Sequence, residues 1–393
     1  MKWIRIGFLS LVGCAVLLIA AMELPSLLHR QPGERSVYEN RTLAQRPVLD
    51  RAAFWSGSYF EDWDEAIADQ LPLRDDVIRA NLWLKLHLKR SVVENGVVIT
   101  KDALLPEMIF YDYSMDLTEP AAAAVERLLA VQSAVEDYGG VFLYVGVDEQ
   151  RVALQELYPP YVFSNSGYYN RLARTFAEQA AQRGLNTLFL RDFYDGEDPL
   201  RWYSAVDHHY KMSGAYAVYQ RICQRLCEQG VAVTPVSEQT LGFYELEEPF
   251  YGTYSRKLYD LSPIVERLTV FRTDGMPAFE RWDDGAPAAA QVLSLPAKGV
   301  QPTYEVYMGG DHGETVIRTH RPELPSILIV GDSFTNPVEC LAVWDFDEMR
   351  SLDYRHYDGK CLTEYLKEYP ADVVIVLRDS LNYLGDEGNG DLK

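Results

Sequence analysis

The chain predicts an α/β fold, a mostly parallel sheet flanked by helices, and three observations carry that expectation. Short apolar runs of strand length alternate with longer helical segments between residues 119 and 377, the pattern of strands joined by crossover helices. The helical segment 168–183 carries its own stop signal in Gly184, a C-cap residue. One apolar run, 326–330, leads straight into Gly331-Asp332-Ser333, and a helix-start signal follows: Asn336 as cap, Pro337 at the first helical position, Glu339 three residues past the cap. A serine between a strand's C-terminal end and a helix N-terminus sits where such sheets place their chemistry.

Taken in order, residues 1–25 read as a transmembrane signal anchor. Residues 6–22 are 17 almost purely apolar residues, near the lower limit for a helical bilayer span. Lys2 and Arg5 ahead of them favour a cytoplasmic N-terminus. Ala20-Ala21-Met22 is a poor cleavage site. Leu11-Val12-Gly13-Cys14 resembles a lipoprotein box, but about eight apolar residues follow Cys14, which suits a continuous helix. The expected location is therefore the cell membrane, single-pass, with the main domain extracytoplasmic. Residues 26–100 form a polar linker and a small helical appendage, in which Phe54, Trp55, Tyr59, Phe60 and Trp63 recur at helical spacing.

Residues 101–393 form the main domain. Helices are expected at 119–138, 168–183, 214–229 and Leu362–Glu368, and strands at Val141–Val147, 187–191, Ile327–Val330, 349–353 and 373–377. Residues 231–320 read as a β and loop insertion. Parallel strands end on one edge, so Asp148-Glu149, Asp207–His209, Ser333, Asp353–Arg355 and Arg378-Asp379 are expected to gather there.

A nucleophilic serine needs a base, and the base an orienter. Asp207-His208-His209-Tyr210 supplies both if the segment is extended, since residues i and i+2 then share a side. Asp207 would hold one nitrogen of His209, the other facing Ser333, while His208 points away. The Ser333 N–H is the first oxyanion donor expected. Gly309-Gly310 is either the second or a plain hairpin turn. Arg355 either binds an anionic substrate or pairs with Asp353, and Asp332 bonds the turn. A rival reading is a metal hydrolase using Asp207, His208, His209, Asp332 and His312, although adjacent histidines rarely serve one metal. No metal and no cofactor are expected, and nothing resembles a coenzyme A site.

The formal net charge of −21 excludes a nucleic-acid partner, whose phosphates it repels. The 26 tyrosines and seven tryptophans suit sugar stacking but are expected mostly in packing. Cys223 and Cys227 stand i, i+4 on a helix, a spacing poor for a disulfide. Cys14 lies in the anchor, and Cys340 and Cys361 are unplaced relative to each other.

Asp207-His208-His209-Tyr210 resembles the motif of the DHHW family, with tyrosine in place of the final tryptophan. Gly309-Gly310-Asp311-His312, Gly331-Asp332-Ser333-Phe334, Asp353-Tyr354-Arg355 and the terminal strand look like that family's other blocks in order. Glu39-Asn40-Arg41-Thr42-Leu43-Ala44, with Pro47, is similar to its N-terminal block. The resemblance runs from about residue 38 to the end. It implies an SGNH-hydrolase-like fold related to the alginate O-acetyltransferases, with Ser333 as nucleophile, His209 as base and Asp207 as orienter. It also implies a polysaccharide acceptor and a membrane-bound O-acyltransferase as acetyl donor. The tyrosine at 210, a candidate for substrate contact, and Asp311, where asparagine is commoner, depart from the family pattern. The alternative function is a non-catalytic scaffold or glycan-binding protein.

Overall fold

The computed structural model describes residues 35–39, 41–71, 73–107, 114–191, 197–385 and 392, with six single positions between 7 and 21. The expected anchor therefore lies largely outside the described residues, as does the linker up to residue 34. Among the described residues no helix is long and apolar enough to cross a membrane.

The chain divides into two compact units: Met1–Asn95 with Ser255–Pro263, and Gly96–Tyr254 with Ile264–Lys393. The smaller unit takes Ser255–Pro263 as a return segment from the 231–320 stretch. It holds helices Arg51–Ser56, Ser58–Gln70 and Arg74–Leu84, the last running into a wider turn at Lys85–Lys89. An ionic knot fixes it. The buried Asp69 carboxylate accepts both guanidinium nitrogens of Arg41 at 2.5 Å and the Ala44 amide at 2.8 Å. Glu39 accepts from Arg74 and from the Tyr259 hydroxyl of the return segment.

In the larger unit the elements are α1 Thr118–Glu136, β1 Val141–Val147, α2 Ser166–Arg183, β2 Thr187–Phe189, α3 Met212–Glu228, β3 Glu280–Asp283, β4 Ala286–Ala288 and β5 Glu314–Arg318. Then follow β6 Ile327–Val330, α4 Asn336–Ala342, β7 Glu348–Leu352, α5 Leu362–Glu368 and β8 Val373–Asp379. They form one eight-stranded sheet in the order β4-β3-β5-β7-β6-β8-β1-β2. The five strands from β7 to β2 are parallel. The remaining three, all from the 231–320 insertion, are antiparallel. The sheet is thus mixed, and part of the insertion extends it.

Alternation along the central strands sets the layers. Phe142, Tyr144, Leu328, Val330, Val374 and Val376 face one side and pack with α1, α2 and α5. The intervening Leu143, Val145, Ile329 and Ile375 are buried on the other. Register brings the strand ends level: Val330 pairs Leu352 and Val376, and Asp379 pairs Val147. Gly331, Asp353, Arg378 and Asp148 therefore all follow or close strands on one edge.

Arg281 of β3 ties the insertion together. Its guanidinium donates to the Gln291 and Met308 carbonyls at 2.6 Å each and to Asp283 at 2.8 Å. We expect Arg281→Met to leave the buried Met308 carbonyl unpaired and to cost about 2–4 kcal/mol in urea denaturation, with an unchanged slope.

Candidate active site

The serine turn is over-determined by packing. A Cβ on Gly331 would lie 2.2 Å from the Thr335 methyl and 3.0 Å from the Leu377 carbonyl, so only glycine fits between β6 and β8. Asp332 closes the turn, accepting from the Phe334 amide at 3.0 Å through its carboxylate and from Thr335 through its carbonyl. The cap of α4 is Thr335, one residue before the expected Asn336. Asn336 is already helical, and its amide donates to Asp311 at 2.9 Å. Ser333 is the one half-exposed residue in an otherwise buried 328–343 stretch.

Asp207 and His209 arrive on a bend, not on an extended segment. Tyr203 and Tyr210 pair as an isolated antiparallel bridge, and the His209 amide donates to Asp207 Oδ1 at 3.2 Å. This side-chain-to-backbone turn, rather than strand alternation, puts the two side chains together. His208 does not point away. Its ring lies 3.8 Å from that of His209, and its Nδ1 is 3.4 Å from Asp207 Oδ1. The corresponding His209 distance is 2.6 Å, so His209 holds the hydrogen bond.

From His209 the chain of contacts continues. Its Nε2 lies 2.7 Å from Ser333 Oγ. The other Asp207 oxygen accepts the Thr253 amide at 2.6 Å. Burial alone would raise the Asp207 carboxyl. The fields of His208 and His209, the His209 hydrogen bond and the Thr253 amide outweigh it and hold the group well below the usual carboxylate range. An ionised carboxylate only accepts, so His209 Nδ1 must carry the proton. In the neutral ring the lone pair is then on Nε2, which faces the Ser333 hydroxyl.

The other candidates have structural partners. Gly309 and Gly310 have φ of +81° and +107°, and the Gly310 amide donates to the Tyr307 carbonyl at 3.2 Å. That N–H is used inside a turn. Arg355 pairs with Asp353 at 2.5 Å and reaches Asp311 at 2.9 Å. Tyr210 is 1 % exposed and its hydroxyl donates to the Phe334 carbonyl. It braces the serine turn. The five residues of the metal reading are not gathered: His312 lies against Asp283 and Asp284, and Asp332 is bonded within its turn. Ligand atoms of Asp207, His208 and His209 do lie within 4.8 Å of one another, as do those of Asp311, Asp353 and His356. In the second group both carboxylates already bind Arg355.

Tyr304 gave no signal in the sequence. Its ring stacks on the His209 imidazole at 3.8 Å and 5°, and its buried hydroxyl has no hydrogen-bond partner among the described residues. It comes from a short turn of the insertion, 95 positions from His209, where no periodicity marks it. Thr253 was equally invisible.

No family model matches the chain, and no curated protein matches it in sequence. Solved structures do. Bacillus cereus PatB1, in a structure with a sulfonyl adduct, aligns with 76% of this chain and 98% of its own, at 17% identity and a TM-score of 0.62. A protein from Eubacterium siraeum aligns with 75% of this chain and 94% of its own, at 18% identity and a TM-score of 0.53. The fold is that of a DHHW family protein. The O-acetyltransferase domain of Pseudomonas putida AlgJ aligns more loosely, at 13% identity over 74% of this chain and 93% of its own, with a TM-score of 0.44.

Glu339 of α4 lies buried beside this turn and accepts the hydroxyls of Ser351 at 2.6 Å and Thr335 at 2.5 Å, both on Oε1. Burial pushes its carboxyl up to about 7 against the lowering by those two hydroxyls. In the unfolded chain it titrates near its ordinary value of about 4.3. Between those values the folded state holds a proton that the unfolded state has released, so stability falls as pH rises. Glu339→Gln keeps the acceptor and cannot ionise. In urea denaturation it should show a flatter pH dependence across that window, gaining up to about 3 kcal/mol over the parent above pH ~7.

Proposed function

We propose that this chain is a serine acyl-transfer enzyme, anchored at a cell surface by residues 1–25, that adds acetyl groups to an extracytoplasmic polysaccharide or removes them. The observation that carries the reading is the unbroken line from Asp207 through His209 to Ser333, with links of 2.6 and 2.7 Å. It has the arrangement in which a hydroxyl becomes a nucleophile without a metal.

In this mechanism His209 Nε2 takes the Ser333 proton as Oγ attacks the acyl carbonyl. The imidazolium that forms is balanced by Asp207. The Ser333 N–H is the first donor to the oxyanion. The tetrahedral intermediate collapses as His209 protonates the departing alcohol, leaving the acyl group on Ser333. A second hydroxyl, from water or a sugar, then gives its proton to His209 as it attacks the acyl carbon, and His209 returns that proton to Ser333 Oγ as the Oγ–acyl bond breaks. Water makes the reaction an esterase and the sugar makes it a transferase.

Three further facts support the reading. PatB1, whose fold this chain shares, carries a sulfonyl adduct, the product expected when an activated nucleophile meets a sulfonyl electrophile. The motif resemblance points to O-acetylation of a polysaccharide. The apolar run 6–22 behind Lys2 and Arg5 suits a membrane anchor, and a membrane-bound O-acyltransferase is the donor this reading requires.

Ser333→Ala and His209→Ala should each lower turnover of an activated acetyl ester by about three to six orders of magnitude, and Ser333→Ala should abolish labelling by a fluorophosphonate. His208→Ala should cost far less. Labelling that survives Ser333→Ala, or turnover that a chelator stops, would overturn the proposal. Adding oligosaccharide acceptors and weighing the products separates transferase from esterase.

Tyr304 belongs to this mechanism as a positioning residue, because its ring faces the imidazole that becomes charged. A π-face over a cation is worth about 0.5–2 kcal/mol. Tyr304→Leu should lower kcat by about 2- to 30-fold with KM little changed. Tyr304→Phe, which keeps the ring, should restore the parent rate.

A further inference from the structure

In a water-facing helix the apolar stripe turns inward. The helix Arg74–Leu84, with its continuation Lys85–Lys89, does the reverse on one side. Leu82 is its inward residue, at 2 % exposure. On the opposite face Val77, Leu84 and Leu88 are 64, 46 and 70 % exposed. Their spacing of seven and four residues places them within roughly a quarter-turn of one another, and Leu73, 63 % exposed, stands just ahead of the helix. Trp83 stands beside the stripe, 44 % exposed and stacked on His87. A monomeric protein in water does not leave such a stripe open without use.

We infer that this stripe is a membrane-contact face, seated in the headgroup region of a lipid bilayer beside the anchor. This rests on the anchored reading given above. Three features select lipid as the occupant. The 12 residues 23–34 separate the apolar run from Arg35, and fully extended they reach about 40 Å. Any bilayer holding residues 6–22 is therefore within reach of the small unit. Residues 35–95 carry nine Lys and Arg against ten Asp and Glu, so nearly all of the −21 charge of the chain lies elsewhere and this segment is not repelled by anionic headgroups. His87, Lys89 and Arg90 are exposed around Leu88, and a tryptophan flanks the stripe, the composition of an interfacial helix.

The test places a nitroxide at Leu84→Cys or Leu88→Cys, with a control at Lys298→Cys, an exposed position of the larger unit. The background is the full chain with the accessible Cys14, Cys227 and Cys361 replaced by serine. The chain is reconstituted in nanodiscs containing zwitterionic and anionic lipid. Relaxation by oxygen is compared with relaxation by a water-soluble nickel chelate. The ratio of oxygen to nickel accessibility at 84 and 88 should exceed that at 298 several-fold. Nickel access at 84 and 88 equal to that at 298, in a chain that stays in the disc, would overturn the inference and leave the anchor standing. Exclusion of both reagents would also overturn it, since protein would then cover the stripe. A chain that does not enter the disc would remove the anchor and this inference together.

Discussion

The site is organised around a carboxylate kept ionised where water does not reach it. Asp207 is 2 % exposed, and an unpaired charge at such a depth costs several kcal/mol. The cost is met locally. One oxygen takes the His209 ring and backbone, and the other takes the Thr253 amide. Because the charge is met by donors, the carboxylate fixes which nitrogen of His209 carries hydrogen. That in turn fixes which nitrogen can accept from Ser333. The hydrogen bonding of Ser333 thus follows from the solvation problem of a residue 126 positions away.

The sheet solves the complementary problem of where the serine stands. Gly331 permits β6 to end against β8 with no side chain between them. Tyr210, one residue past the base, donates to the carbonyl one residue past the serine. The segment carrying His209 and the segment carrying Ser333 are thereby bolted to each other beside the 2.7 Å contact between those two side chains. The hydroxyl of Tyr210 is the donor in that bond.

The parallel half of the sheet was legible in the sequence because its strands are buried on both faces and read as unbroken apolar runs, Val141–Val147 and Ile327–Val330 among them. Helix ends shifted by one or two residues, where capping and fraying decide the boundary. The antiparallel half was not legible. Glu280-Arg281-Trp282-Asp283 shows no apolar alternation, because its buried residue is an arginine satisfied by carbonyls that only the folded chain supplies. In the site, Asp207, His209 and Ser333 could be named from residue type and motif. Their juxtaposition was right for a reason other than the one the pattern offered, a bend in place of an extended segment. Thr253 contributes only a backbone N–H, which any residue but proline has. Tyr304 is one of 26 tyrosines, and nothing in its neighbours sets it apart.

The insertion has a consequence for how the molecule fails when heated. It carries Tyr304 at the start of a single 3-10 turn and Thr253 at the start of the five-residue helix Thr253–Lys257, so the imidazole and its carboxylate depend on short elements outside the sheet while the serine rests on it. Such short elements open at lower free energy than the core strands. Loosening them would strip the base of its stacking and its counter-ion of a donor while β6 to β8 remained paired. On the proposed mechanism, inactivation on warming would then precede melting, and a protein without that activity would still scatter, sediment and show circular dichroism like the native one.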